Sequence, residues 1–236
     1  MEIGNLHIEV IKKDIKNIHL AVYPPNGTVR LTSPRNVTDD SIRLYAISKL
    51  SWIKQQQRSF KRQERRSERH YIQRESHYLF GKRYLLRLSN SLRTTSVAVK
   101  NKTYLELNIR SGSSKMQKEK AIEEFYRKEL KQRIPALIEK WELKTGIYVQ
   151  SWGVKKMSTK WGTCNKEAKR IWLNLELAKK PIECLEYIIL HEMIHIVERH
   201  HNDHFTSLMN QHMPRWKHHK NELNNLPISH VEWGHC

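Results

Sequence analysis

The chain lacks the features that mark secreted and membrane proteins. Its 236 residues include three cysteines, Cys164, Cys184 and Cys236. They are odd in number and form no Cys-x-x-Cys pair, which argues against a disulfide framework and a cysteine-based zinc knuckle. No window approaches the roughly 20 apolar residues of a membrane span. Met1 to Lys12 contains no lysine- or arginine-headed apolar stretch of signal-peptide length. A soluble, cytoplasmic protein with no membrane attachment is expected. No internal repeat is visible. Acidic residues are in short supply: 24 Asp and Glu stand against 43 Lys and Arg, a net charge of +19. That excess fits a polyanionic partner, nucleic acid before an anionic membrane surface, or a merely solvated basic surface. Hydrophobic residues make up 38% of the chain, polar for a globular protein but well above a disordered one.

The first part reads as strands. Leu6 to Val10 alternates, Ile18 to Val22 follows, and the turn residues Pro24-Pro25-Asn26-Gly27 lead into Val29 to Leu31. After Pro34 a helix is expected, capped by Thr38 or Asp39, with Ile42, Tyr45, Ala46, Lys49, Trp52 and Ile53 at helical spacing. Its extension from Lys54 to Arg74 carries eight Lys or Arg against Glu64 and Glu68. Such a run is a solvated helix face or, with Phe60, His70 and Tyr71 interleaved, a nucleic-acid surface. Tyr78 to Leu88 and Ser96 to Ile109 read as further strands or hairpins around Gly81. Ser111-Gly112-Ser113-Ser114 is short, small and polar, and is the expected boundary between regions 1–112 and 113–236. Lys118 to Leu143 is helical in pattern, with Pro135 expected to kink it or split it in two. Ile147 to Val154 then reads as a strand.

The chemistry sits further on. Ile182 to Arg199 is strongly apolar and helical in pattern, opened by Pro181. Within it lies His191-Glu192-Met193-Ile194-His195. Four-residue spacing puts both imidazoles on one face, about 40° apart around the helix and one turn apart along it. Two nitrogens so placed can meet one tetrahedral zinc ion. Glu192 falls beside them, where a carboxylate can take a proton from a zinc-activated water. With fourteen histidines, chance pairs at this spacing are common. The intervening glutamate makes the pattern far more specific, and burying it beside two histidines without a metal or partners is costly.

A catalytic zinc needs a third protein ligand and one open position. His200, His201, His204 and the carboxylate of Glu198 are candidates. A continuous helix would carry residue 201 about 9 Å beyond His195, so a break is expected near Arg199 or His200. Asn202 and Asp203 can cap a following helix with Phe205, Leu208 and Met209 as its apolar stripe. Glu198 stands where metzincin sites have glycine, which disfavours that class. Ile171 to Leu177 alternates as a strand before this helix. It reads either as an edge that holds a peptide by strand addition or as an ordinary half-buried strand. Cys164 is either a fourth ligand or a packed residue in a tight turn at Gly162. The sequence identifies no oxyanion-stabilising residue, although Arg199 and His204 lie near enough along the chain to be candidates.

The combination His191-Glu-Met-Ile-His195, five residues, His201, then Asn202-Asp-His-Phe205 resembles the YgjP-like metallopeptidase domain, a relative of SprT-like proteases. Lys160-Trp-Gly-Thr-Cys164 resembles that family's tryptophan-glycine-serine-cysteine block, with threonine for serine. Arg170-Ile-Trp-Leu-Asn174-Leu-Glu-Leu177 resembles its strand before the active-site helix, and Pro214-Arg-Trp-Lys217 its closing proline-x-x-lysine. The match is close from Trp152 to Asn224 and loose before that. The resemblance implies an α+β, zincin-like fold with an active-site helix and a small sheet, here preceded by a β-rich region bearing a long basic helix. It also implies a Zn2+ cofactor, a protein or peptide substrate, and His201 as third ligand. Some SprT-like relatives act on DNA-bound proteins. Three readings follow: a zinc peptidase with metal ligands His191, His195 and His201 and general base Glu192; a nucleic-acid-binding protein with a structural or latent zinc site; or a peptidase recruited to nucleic-acid-bound proteins. A non-peptidase zinc hydrolase would use the same water activation, and the resemblance is what ranks it lower.

Overall fold

The computed structural model describes residues 1–23, 27–62, 69–91, 94–157 and 160–225. These divide into two compact units, one within Met1–Arg66 and one within Ser67–Leu226. The expected turn at residues 24–26 and the middle of the basic run, residues 63–68, lie outside the described residues. Among the described residues, no helix is long and apolar enough to cross a membrane.

The first unit is a four-stranded sheet under two helices. Strands β1 (Glu2–Ile3), β2 (Leu6–Lys13), β3 (His19–Tyr23) and β4 (Thr28–Pro34) stand in the order β1-β2-β4-β3. Alternation sends Ile8, Val22, Val29 and Leu31 inward, where they meet Ile42, Ala46 and Ile53 of the helices. Helix α1 (Asp39–Ser48) is capped by Thr38, whose hydroxyl accepts from the Ser41 N–H at 3.3 Å. The helical pattern breaks at Lys49, and α2 (Leu50–Arg62) carries the start of the basic run. Residues 69–72 are not helical, so the run does not form one helix to Arg74.

The second unit opens with β5 (Ser76–Leu79), β6 (Lys82–Asn90), β7 (Ser96–Lys100) and β8 (Tyr104–Ile109), ordered β5-β6-β8-β7. This repeats the first sheet's order and pairing senses. The first two strands pair antiparallel, the second and fourth parallel, and the third and fourth antiparallel. Ile8 opposite Val29 corresponds to Leu86 opposite Leu105. The repeat escapes a reading of the sequence because pairing needs only alternation of apolar residues, not their identity.

Helix α3 (Lys115–Thr145) follows. Ser114 and Gln117 form a reciprocal capping box at its start, and Gly146, in the left-handed conformation with φ 69°, ends it. It runs unbroken through Pro135, because Ile134, Ile138 and Trp141 are buried on either side and hold it to the core. Ser111–Ser114 is thus a turn and helix cap inside the second unit, not the junction between 1–112 and 113–236. The sheet before it packs with the elements after it: the Phe80 N–H donates to the Ala178 carbonyl at 2.8 Å.

A three-stranded sheet comes next: β9 (Ser151–Lys155), β10 (Gly162–Asn165) and β11 (Arg170–Asn174), ordered β10-β11-β9. The strand expected from Ile171 to Leu177 stops at Asn174, and Leu175–Lys179 form a short 3₁₀ helix. Leu175 and Leu177 are buried as expected, but Glu176 and Ala178 between and after them are buried too, so the alternation ends with the strand. Three helices complete the unit: α4 (Ile182–Ile194), α5 (Asp203–His212) and α6 (Trp216–Asn225). The architecture is mixed α+β, consistent with a zincin-like metallopeptidase domain.

Candidate metal centre

Helix α4 is buried on nearly all sides, with Leu185, Ile188, Ile189, Leu190, Met193 and Ile194 in the core. His191 and Glu192 lie in its last turn. The helix ends at His195, about one turn earlier than the expected break at Arg199 or His200. The chain bends there through main-chain bonds from Val197 and Glu198 to the Ile194 carbonyl, at 3.0 and 2.9 Å. Asn202 then caps α5, accepting from the Phe205 N–H at 2.9 Å.

This bend brings three imidazoles together. His191 Nε2 lies 3.2 Å from His195 Nε2 and 3.0 Å from His201 Nε2. The buried ring of Phe205 lies against all three, with centroid separations of 5.0, 4.9 and 4.6 Å. His195 Nδ1 donates to the Glu198 carbonyl at 2.9 Å. A carbonyl only accepts, so the proton sits on Nδ1 and the Nε2 lone pair faces the other rings. Burial, followed by the two neighbouring histidines, pushes the His191 pKa well below its ordinary value. Burial is also the first cause lowering His195. Both shifts favour the neutral ring, and the nitrogens of all three imidazoles converge. Zinc with bonds of about 2.0–2.1 Å in tetrahedral geometry spaces two ligand nitrogens about 3.3 Å apart, so the donor set fits such an ion.

The other candidates are occupied elsewhere. The Glu198 carboxylate accepts from the His200 main-chain N–H at 3.1 Å and pairs with His204 Nδ1 at 3.3 Å. The His200 N–H is the first cause holding Glu198 down at about 2, with His204 and Asn202 behind it. Glu198 and His204 therefore shape the bend, while Arg199 and the His200 side chain are exposed. The donors that converge at this bend are His191, His195 and His201, and Cys164 is not one of them. Burial, then the charge of Glu192, raises the Cys164 thiol to about 11, which favours the protonated, packed form.

Glu192 is only 6% exposed and lies under β10. Burial pushes its carboxyl up to about 8, with Lys160 working in the opposite direction. It fits there because residue 162 has no side chain: a Cβ on Gly162 would stand 2.5 Å from Glu192 Oε1. Gly162 lies in a strand rather than a tight turn. Asn174 fixes that strand's approach, donating to the carbonyls of Met157 and Lys160 at 3.0 and 2.7 Å. On the other side, Tyr187 stands edge-on to His191, and Trp216 stacks on Tyr187.

Sequence reasoning missed Gly162 as a spacer and the Tyr187–Trp216 wall. Two signals were available: a glycine inside a strand marks close approach of another group, and Tyr187 stands four residues before His191 on one helix face. Of the two readings of Ile171 to Leu177, the peptide-holding edge does not fit the structure. Instead β11 is central, paired with β10 on one side and β9 on the other, so it offers no free edge. Asn174 and Glu176, placed on the outward face by alternation, are buried.

Residues 16–226 match the family model described as YgjP-like, metallopeptidase domain. No curated protein and no solved structure matches the chain.

Proposed function

The chain belongs to the YgjP-like metallopeptidase domain family, and from that premise we propose that it hydrolyses peptide bonds with zinc held by His191, His195 and His201 and with Glu192 as general base. The observation carrying this reading is the convergence of three Nε2 atoms at 3.0 and 3.2 Å around His191. A zinc ion held there supplies an activated water and polarises the scissile carbonyl. Glu192 takes the proton from the attacking water and returns it to the leaving amine. Its affinity for a proton, raised by burial to about 8, suits that exchange near neutrality. A bound dication would draw this value down. Phe205 keeps the histidines apposed, and the Glu198 carbonyl keeps His195 in the ligating tautomer.

The substrate strand belongs beside β10. That strand ends its sheet, leaving one edge unpaired by any described strand, and Gly162 within it lies over Glu192. A peptide added there in extended form would be held by main-chain hydrogen bonds next to the base. A second reading adds recruitment by nucleic acid, supported by the net charge of +19.

The test compares the native chain with Glu192→Gln on unfolded protein substrates, with and without DNA, after zinc quantification. One zinc in each, with cleavage by the native chain alone and abolished by a chelator, is expected. Equal cleavage by the two proteins would refute Glu192 as base, and absence of zinc from both would refute the metal centre.

A further inference from the structure

Helix α6 carries a second set of donors that the peptidase reading does not use. His218, His219 and Glu222 each offer a ligand atom, and those atoms lie within 4.8 Å of one another. Their spacing of three and four residues to Glu222 places the carboxylate one turn from both rings.

Glu222 is the hub. Its Oε2 lies 3.9 Å from His219 Nδ1, beyond hydrogen-bonding reach. That nitrogen is closed off from solvent and has no hydrogen-bond partner. The same Oε2 is 3.8 Å from the thiol of Cys184, a fully buried residue of α4. The thiol also points to the His219 carbonyl at 3.9 Å. Thus the carboxylate is held from below by α4 while a buried imidazole nitrogen beside it lacks a partner. A tetrahedral zinc separates a ligating nitrogen from a ligating oxygen by about 3.4 Å. The present 3.9 Å exceeds that by an amount that side-chain rotation absorbs.

We propose that His218, His219 and Glu222 form a second metal site, for a divalent transition ion such as zinc. Two imidazoles and one carboxylate suit zinc, nickel or copper, whereas calcium and magnesium require oxygen-rich shells. His218 is exposed and gives the ion a way in from solvent. Cys184 precedes His191 by seven residues, about 10 Å along α4, so the two sites do not share an ion. The second ion fastens the first turns of α6, which begins at Trp216. That residue stacks on Tyr187 beside His191, so the ion steadies one wall of the catalytic site from outside it.

The test uses the full chain carrying His191→Ala and His195→Ala, which disables the first trio. Zinc is titrated by calorimetry and counted by elemental analysis after dialysis, with thermal melts alongside. One equivalent of zinc and an upward shift in Tm are expected, and both disappear on adding His219→Ala or Glu222→Gln. A folded variant that binds no zinc overturns the site, as does an equivalent that survives both added substitutions. Should the double variant fail to fold, the intact chain serves instead. It is expected to bind two equivalents, falling to one with Glu222→Gln, and a zinc count that Glu222→Gln leaves unchanged overturns the proposal. None of these readouts depends on peptidase activity, so the two readings fail separately.

Discussion

Gly162 and Glu192 occupy one space. A Cβ at position 162 would lie 2.5, 2.6 and 2.8 Å from Oε1, Cγ and Cδ of Glu192, well inside contact distance. The Glu192 side chain is buried and has little freedom to retreat, and the β10 backbone is paired to β11. Gly162→Ala should therefore displace the carboxylate. A misplacement near 1 Å at a reacting group costs on the order of 10²-fold in rate. The expected result is a fall in kcat of that order, with zinc content retained and KM little changed. A native kcat in a zinc-loaded Gly162→Ala protein would separate Glu192 from the chemistry.

Removing the base itself should be more severe. Glu192→Gln is nearly isosteric and relieves a buried ionisable group, so the fold and the zinc should both survive. General base catalysis is worth about 10²- to 10⁴-fold, and single-turnover cleavage rates should fall within that range. Loss of zinc on this substitution would mean that Glu192 acts on the metal rather than on the water.

The three clustered histidines after the bend should behave differently. His201→Ala should lose zinc, because its Nε2 is one of the three converging donors. His200→Ala should keep it, because the fold uses that residue's main-chain N–H and not its ring. His204→Ala removes one of the hydrogen bonds that hold the Glu198 carboxylate, and a modest loss of affinity is expected. Equal zinc retention by His201→Ala and His200→Ala, counted per chain, would remove His201 from the ligand set.

Acid should destabilise the second unit through His77. This ring is buried, and burial, then Arg69, lowers its pKa to about 4 from an ordinary 6.5. Its Nε2 contacts Glu75 Oε2 at 3.1 Å, Lys179 adds repulsion, and Tyr71 lies against the ring. The folded chain refuses a proton that the unfolded chain accepts between those two values. The resulting stability is fully present above about pH 6.5 and lost as pH falls towards 4, on the order of 3 kcal/mol for such a shift. His77→Gln should flatten the fall in Tm across that window, and an unchanged pH profile would contradict the assignment.

Nucleic-acid recruitment predicts a salt signature. Binding to duplex or single-stranded DNA, followed by fluorescence anisotropy, should weaken steeply as salt rises, because phosphate contacts release counterions. No measurable affinity even at low salt would leave the +19 charge as a solvated surface.

The sequence by itself determined what depends on neighbours along the chain. Four-residue spacing put His191 and His195 on one helix face, the apolar run around them made α4 a core helix, and Thr38 and Asn202 marked where helices start. Alternation located most strands, because side-chain direction is fixed by covalent geometry. Tertiary structure decided what depends on contacts between distant segments. Alternation tells which residues face inward but not which strand lies in the middle, so β11 as a central strand was out of reach. The sheet that ends just before Ser111–Ser114 joined the second unit through contacts such as Phe80 to Ala178, which no local composition encodes. Which of three nearby histidines faces His191 depends on a bend set by main-chain bonds to Ile194 and by Glu198. The need for glycine at position 162 arises only when Glu192, thirty residues later in the chain, is folded against it.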